Sequence, residues 1–163
     1  MTLKFEKTHV DAILPVKNHD NDTGMDVTSI EDMTIPARGS AVVGVGLKFA
    51  YIESGFWVKV EGRSGLGFKH GIMPHSGIID EGYRGDAGVK LYNLTDIDYN
   101  VKAGERIAQF VIYANYPVEV SEGGVVDSDR GEKGFGSSGT VSYTHLRAHE
   151  TRHDLVCRLL LEK

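Results

Sequence analysis

Several classes of protein are excluded by what this chain has little of. A lone cysteine, Cys157, rules out an intrachain disulfide and offers no cysteine cage for a metal. Positive charge is not in excess: 18 Lys and Arg face 23 Asp and Glu, for a net charge of -5. That balance disfavours a general nucleic-acid or anionic-membrane surface, so an anionic ligand would need locally concentrated positive charge. No apolar run approaches the length of a membrane span, and the opening Met1-Thr2-Leu3-Lys4-Phe5-Glu6 has no signal-peptide character. The expectation is a cytoplasmic protein without nucleic-acid or membrane partners.

Glycine, by contrast, is abundant: 20 Gly stand beside only 4 Pro, among many Val and Ile. This composition favours short strands and tight turns. The 163 residues suffice for one domain and one core. Alternation of Leu3 and Phe5 with Lys4 and Glu6 predicts an opening strand. Further strands are expected at Met33 to Ile35, Ser40 to Tyr51, Phe56 to Glu61, Lys69 to Met73, Gly77 to Asp80, Gly88 to Thr95, Arg106 to Tyr113 and Val118 to Val120. Gly44 and Gly46 allow a bend within the long Ser40 to Tyr51 stretch. About ten strands without intervening helix imply an all-β sandwich or jelly roll.

The organisation read from composition is a domain over residues 1–126, an arm over 127–139 and a tail over 140–163. The tail has no Gly or Pro and carries His145, His149 and His153. Leu146, Leu155, Val156, Leu159 and Leu160 fall loosely on one helical face. The four-residue histidine spacing would suit a helical metal site, but no carboxylate or cysteine frame accompanies it. The break in composition reads as a non-native extension.

Five segments carry chemistry. In Thr23-Gly24-Met25-Asp26-Val27, Asp26 either orients a neighbouring arginine or closes an Asx turn. Gly62-Arg63-Ser64-Gly65-Leu66-Gly67 follows a strand; glycine permits close backbone approach, while Arg63 and Ser64 suit phosphate oxygens. The alternative there is a glycine turn with a solvated arginine. Gly77-Ile78-Ile79-Asp80-Glu81-Gly82-Tyr83-Arg84-Gly85 reads as the tip of a β-hairpin. It presents a carboxylate able to act as general base toward water, and a ring able to cover a sugar-like ligand. His9, His19, His70 and His75 do not compete with Asp80 for that role. In Gly104-Glu105-Arg106-Ile107-Ala108-Gln109-Phe110, alternation puts Gln109 on the face of Ile107, where it needs a polar partner, either a phosphate oxygen or a backbone group. Arg130-Gly131-Glu132-Lys133-Gly134-Phe135-Gly136-Ser137-Ser138-Gly139 has four Gly in ten residues and reads as a mobile lid. Its isolated Phe135 can stack on a base.

In order and spacing these segments resemble the five motifs of the trimeric deoxyuridine triphosphatase (dUTPase) family. TGMDV resembles the first, GRSGL the second, GIIDEGYRG the third, GERIAQF the fourth and RGEKGFGSSG the fifth. Two departures stand out: Gly62 occupies a position where the family usually has proline, and the chain continues past the fifth motif. The resemblance implies a distorted jelly-roll homotrimer that hydrolyses dUTP to dUMP and pyrophosphate, with each active site shared between subunits. It implies that Asp80 activates the water attacking the α-phosphorus, with Asp26 supporting the site. Arg63, Ser64, Gly65 and Gln109 would bind phosphates. Gly77, Ile78, Ile79 and Gly88 would read uracil and the 3′-hydroxyl, and Tyr83 would pack on the deoxyribose. Arg130, Phe135, Gly136, Ser137 and Ser138 would close the lid. Mg2+ would be held by the triphosphate and water, with no direct protein ligand. The alternatives are a dCTP deaminase of the same fold and a regulatory binding protein switched by dUTP.

Overall fold

In the computed structural model, which describes residues 1–132, eleven strands and one short helix follow one another along the chain. They are β1 (Leu3–Lys7), β2 (Gly24–Thr28), β3 (Met33–Ile35), β4 (Ser40–Val43), β5 (Leu47–Ile52), β6 (Phe56–Glu61), α1 (Ser64–His70), β7 (Ile72–Pro74), β8 (Ile78–Ile79), β9 (Val89–Asn93), β10 (Tyr99–Val101) and β11 (Arg106–Ala114). The strands form a four-stranded sheet in the order β2-β11-β6-β8, a three-stranded sheet β4-β9-β7, and the pairs β1-β5 and β10-β3. All of these strand pairings are antiparallel. This is the all-β, jelly-roll type of architecture expected.

Alternation explains the central sheet. On β6, Val58 and Val60 are buried while Trp57, Lys59 and Glu61 are half-buried on the opposite face. Phe110 lies opposite Val60, and Val27 and Val58 complete the inward layer. Phe49 sits at the middle of the core, 4.8 Å from the ring of Phe5 and 5.5 Å from that of Phe110. Aromatic pairs of this kind contribute about 0.5–1.5 kcal/mol each beyond their burial.

Four expectations need correction. Ser40 to Tyr51 is not one strand: Gly46 has φ +64, which L residues avoid, and the chain there breaks into β4 and β5 in different sheets. Lys69 to Met73 is not one strand either. Ser64–His70 winds into α1, which ends at Gly71 in the left-handed conformation with φ 62, and only then does β7 begin. Helix formation there overrides the glycine content. Val118 to Val120 pairs with nothing among the described residues, because β11 ends at Ala114 and residues 115–129 have no regular structure. Lastly, Gly77 to Gly88 is not a hairpin, since β8 pairs with β6 whereas β9 pairs with β4 and β7. The short β10 lay outside the expected strands.

Met1–Val118 forms one compact unit. The second unit begins at Glu119, and its described residues, 119–132, contain no helix or strand.

Candidate active site

Two clefts with different chemistry open on the compact unit. The first, of about 290 Å³, is walled by Gly77, Ile78, Ile79, Asp80, Tyr83 and Gly88, together with His75, Asp86 and Lys90. It lies where the chain leaves β8 and returns toward β9. One limb of this excursion is fixed to β6: Ile78 and Ile79 pair with Lys59 and Val58, and the N–H of Val60 donates to Gly77 O at 3.1 Å. The other limb is fixed to β5, because Phe49 N–H donates to Gly85 O at 3.0 Å and Ala87 N–H to Leu47 O at 2.8 Å. Asp80 therefore stands exposed where the chain leaves β8 into a loop straddling two sheets.

Tyr83 is held in place from three directions. Its N–H donates to Asp80 O at 3.0 Å, its hydroxyl donates to Asp86 O at 3.0 Å, and its ring meets Phe49 edge-on at 5.9 Å. The ring passes directly over Gly85, where a β-carbon would lie 2.3 Å from the tyrosine hydroxyl oxygen. A side chain at position 85 would therefore displace the Tyr83 ring from this path. The Arg84 guanidinium donates to the carbonyls of Glu81 and Tyr83, each at 2.7 Å, and so closes the turn.

The second cleft, of about 500 Å³, is polar and is lined by Asn18, Asp22, Thr23, Gly24, Asp26, Arg63, Ser64, Gly65 and Gln109. Its organising group is buried Asp26 on β2. One oxygen accepts from Arg63 Nε at 2.7 Å; the other accepts from Arg63 Nη2 at 3.3 Å, Arg106 Nη1 at 3.0 Å and Asn18 Nδ2 at 2.9 Å. Arg63 also donates to the Arg106 carbonyl at 3.2 Å, and Arg106 to Asn18 Oδ1 at 2.7 Å. Two guanidiniums on one carboxylate supply local positive charge in a chain whose net charge is -5. Of the two roles open to Asp26, the structure forms the arginine contact.

Ser64 and Gly65 begin α1, where first-turn N–H groups have no partner within the helix. A β-carbon at Gly65 would meet nothing within 4 Å, so packing inside this chain does not demand glycine there. Gln109 takes the backbone partner: its Nε2 donates to Gly62 O at 2.7 Å. A bulge between Arg106 and Ala108 breaks the alternation of β11, so Ile107 and Ala108 are both buried. Simple face-counting does not describe that strand. A β-carbon at Gly24 would fall 1.9 Å from Gln109 Oε1, so a side chain there would displace the Gln109 amide. The preceding turn is braced by Tyr99, whose hydroxyl donates to Glu105 at 2.5 Å. Burial and then the Glu105 carboxylate push the Tyr99 hydroxyl up to about 12, so it remains a donor near neutrality.

Sequence reasoning did not single out Asn18 or Arg106 for the second cleft, nor His75, Asp86 and Lys90 for the first. Asn18 sits in a polar turn that carries no local mark of its long-range partner. Of the fifth segment, Arg130 lies within the described residues, and Phe135, Gly136, Ser137 and Ser138 lie outside them, as does the 140–163 tail.

The compact unit is thus an all-β fold of jelly-roll type with a carboxylate-bearing cleft and a separate cleft organised by Asp26 and Arg63. The dUTPase family model matches residues 11–139, and the chain belongs to that family. The deoxyuridine 5′-triphosphate nucleotidohydrolase of Solibacter usitatus (strain Ellin6076) is 43% identical over 143 residues, covering 85% of this chain and 97% of the relative. That of Oryza sativa subsp. japonica is 43% identical over 138 residues, covering 84% and 80%. Among solved structures, a variant of the Staphylococcus bacteriophage 80α dUTPase with dUpNHpp superposes with a TM-score of 0.75 at 29% identity, over 85% of this chain and 99% of that one. Another 80α dUTPase variant gives a TM-score of 0.76 at 28% identity, over 83% and 98%.

Proposed function

We propose that this chain hydrolyses dUTP to dUMP and pyrophosphate, with Asp80 drawing a proton from the water that attacks the α-phosphorus. The activity follows from membership of the dUTPase family, and the residue assignments rest on the two clefts. The observation that carries them is the division of labour: every base- and sugar-reading residue of the third motif lines the first cleft, and the candidate phosphate ligands Arg63, Ser64, Gly65 and Gln109 line the second.

In this reading Gly77, Ile78, Ile79 and Gly88 present backbone to uracil, and Tyr83 covers the deoxyribose face. Paired backbone donors and acceptors can reject a wrong hydrogen-bonding pattern by factors of about 10⁴–10⁵. Arg63 leaves part of its fork on Asp26 and turns the rest to phosphate oxygens. Because Arg106 and Asn18 also bond Asp26, the buried carboxylate keeps partners when Arg63 moves. Hydrolysis then needs no covalent intermediate, only a fixed base, a positioned water and an in-line leaving group.

The two clefts share no lining residue. That separation supports an active site completed between subunits of a homotrimer. The outer face of the central sheet supplies apolar surface for such contact: Trp57 and Tyr113 stack at 4.8 Å, and Ile78 is 67% exposed. The arm at residues 127–139, following a domain at 1–126, is assigned to closure over a bound nucleotide through Arg130, Phe135, Gly136, Ser137 and Ser138.

Magnesium fits the second cleft only as an ion carried by its ligand. Among the described residues no group of three or more His, Cys, Asp or Glu is arranged to hold a metal. Asp26 is already occupied by two arginines and an asparagine. Mg2+ suits triphosphate and water oxygens, which would hold it there without a direct protein ligand. When bound, the ion would neutralise charge on the departing pyrophosphate.

Two alternatives are separated by one experiment. Purified protein with dUTP should release pyrophosphate, and with dCTP should release no ammonia. Ammonia from dCTP would favour a deaminase. Binding of dUTP without pyrophosphate release would favour a regulatory module. Among the described residues no helix is long and apolar enough to cross a membrane.

A further inference from the structure

The loop that presents Asp80 is anchored by a contact that neither cleft uses. Residues 77–79 run beside β6 and residues 85–87 beside β5, so the loop spans the junction between these strands. That junction is the turn Glu53–Gly55, closed by the N–H of Phe56 donating to Glu53 O at 3.2 Å. At its apex Gly55 adopts φ +82, and the Gly55 N–H donates to Glu81 Oε2 at 3.0 Å. The Gly55 carbonyl in turn accepts from Asn115 N–H at 2.8 Å. Glu81 is half-buried and directly follows Asp80 in the chain.

We propose that Glu81 is a positioning residue that latches the catalytic loop to the β5–β6 turn and thereby fixes the Asp80 carboxylate. Ile78 and Ile79 secure the loop only up to the residue before Asp80, and the next backbone attachment to another strand is at Gly85. Between those two points the bonds are internal to the loop: Tyr83 N–H to Asp80 O, Arg84 to Glu81 O and Tyr83 O, and Tyr83 hydroxyl to Asp86 O. They preserve its shape and, apart from the edge-on packing of the Tyr83 ring on Phe49, do not tie the loop to the sheets. Glu81 to Gly55 is the hydrogen bond that does so. It uses one carboxylate oxygen as an acceptor, so a glutamine carbonyl can replace it and alanine cannot.

This inference rests on Asp80 being the base. Glu81→Ala should lower kcat for dUTP by about 10- to 100-fold, the scale expected of a misplaced reactive group, with KM little changed. Glu81→Gln should restore kcat to within about threefold of the parent, because the acceptor is retained. Amide exchange at Gly55 should accelerate in Glu81→Ala and not in Glu81→Gln, which reports the latch without reference to turnover. Normal kcat in Glu81→Ala, or equal damage from glutamine and alanine, would overturn the latch. Asp80→Asn measured alongside separates the two ideas: an inert Asp80→Asn with a fully active Glu81→Ala refutes the latch alone, whereas an active Asp80→Asn refutes the base assignment and the latch with it.

Discussion

Replacing Asp80 by asparagine should leave nucleotide binding close to normal and lower kcat by about 10²–10⁴-fold, the usual contribution of a positioned general base. The side chain keeps its size and its place at the end of β8, so the packing of Ile78 and Ile79 against β6 is undisturbed. Tyr83 contacts only the backbone carbonyl of residue 80, so the turn survives as well. What is lost is the capacity to accept a proton from water. Turnover by pyrophosphate release and affinity for a non-hydrolysable deoxyuridine nucleotide should therefore separate in the variant. Undiminished kcat would remove Asp80 from its role.

Removing everything after Val126 should abolish measurable turnover and leave the folded unit intact. The core is complete before that point: β11 ends at Ala114 and the compact unit at Val118. Among the residues removed, 127–132 are described and all are exposed, so they bury little area. The thermal midpoint should move by no more than about 2–4 °C, the shift that roughly 1 kcal/mol gives a chain of this size. Activity should suffer far more. In the proposed lid, stacking on Phe135 would contribute about 1–3 kcal/mol and closure would exclude water from the reacting phosphates. Fixing a chain segment costs about 1–2 kcal/mol per residue in backbone entropy, so the proposed lid would need phosphate contacts from Arg130, Ser137 and Ser138 beside the stack. Full activity in the truncated protein would refute the lid, and loss of the fold would refute the boundary.

Some strands were legible from local sequence alone. Phe56 to Glu61 reads as an alternating strand and forms β6 with those bounds. The short Met33 to Ile35 strand, stopped by Pro36, also keeps its bounds as β3. Long-range geometry was harder to see. Gly44 and Gly46 signalled a bend, yet only pairing partners reveal that β4 and β5 belong to different sheets. Gly62 to Gly67 reads as a glycine-rich turn, whereas α1 begins at Ser64. The segment from Gly77 to Gly88 has the composition of a hairpin, but its limbs pair with β6 and β5 rather than with each other.

The site shows the same contrast. Each chemically distinctive side chain was visible from its type and neighbours: Asp80, Tyr83, Arg63, Ser64, Asp26 and Gln109. Their partners were not. Arg106 and Asn18 meet Asp26 across separations of 80 and 8 residues, and Glu81 meets Gly55 across 26. No local pattern encodes contacts of that kind, because they depend on how sheets stack rather than on which residues alternate. The bulge at Ile107 likewise defeats period-two counting on β11.

The most direct test of the mechanism follows the oxygen atom. With dUTP hydrolysed in water enriched in heavy oxygen, attack at the α-phosphorus places the label in dUMP and leaves pyrophosphate unlabelled. Label found in pyrophosphate would mean that water attacks the β-phosphorus, and the role of the Asp80 cleft in activating that water would be contradicted.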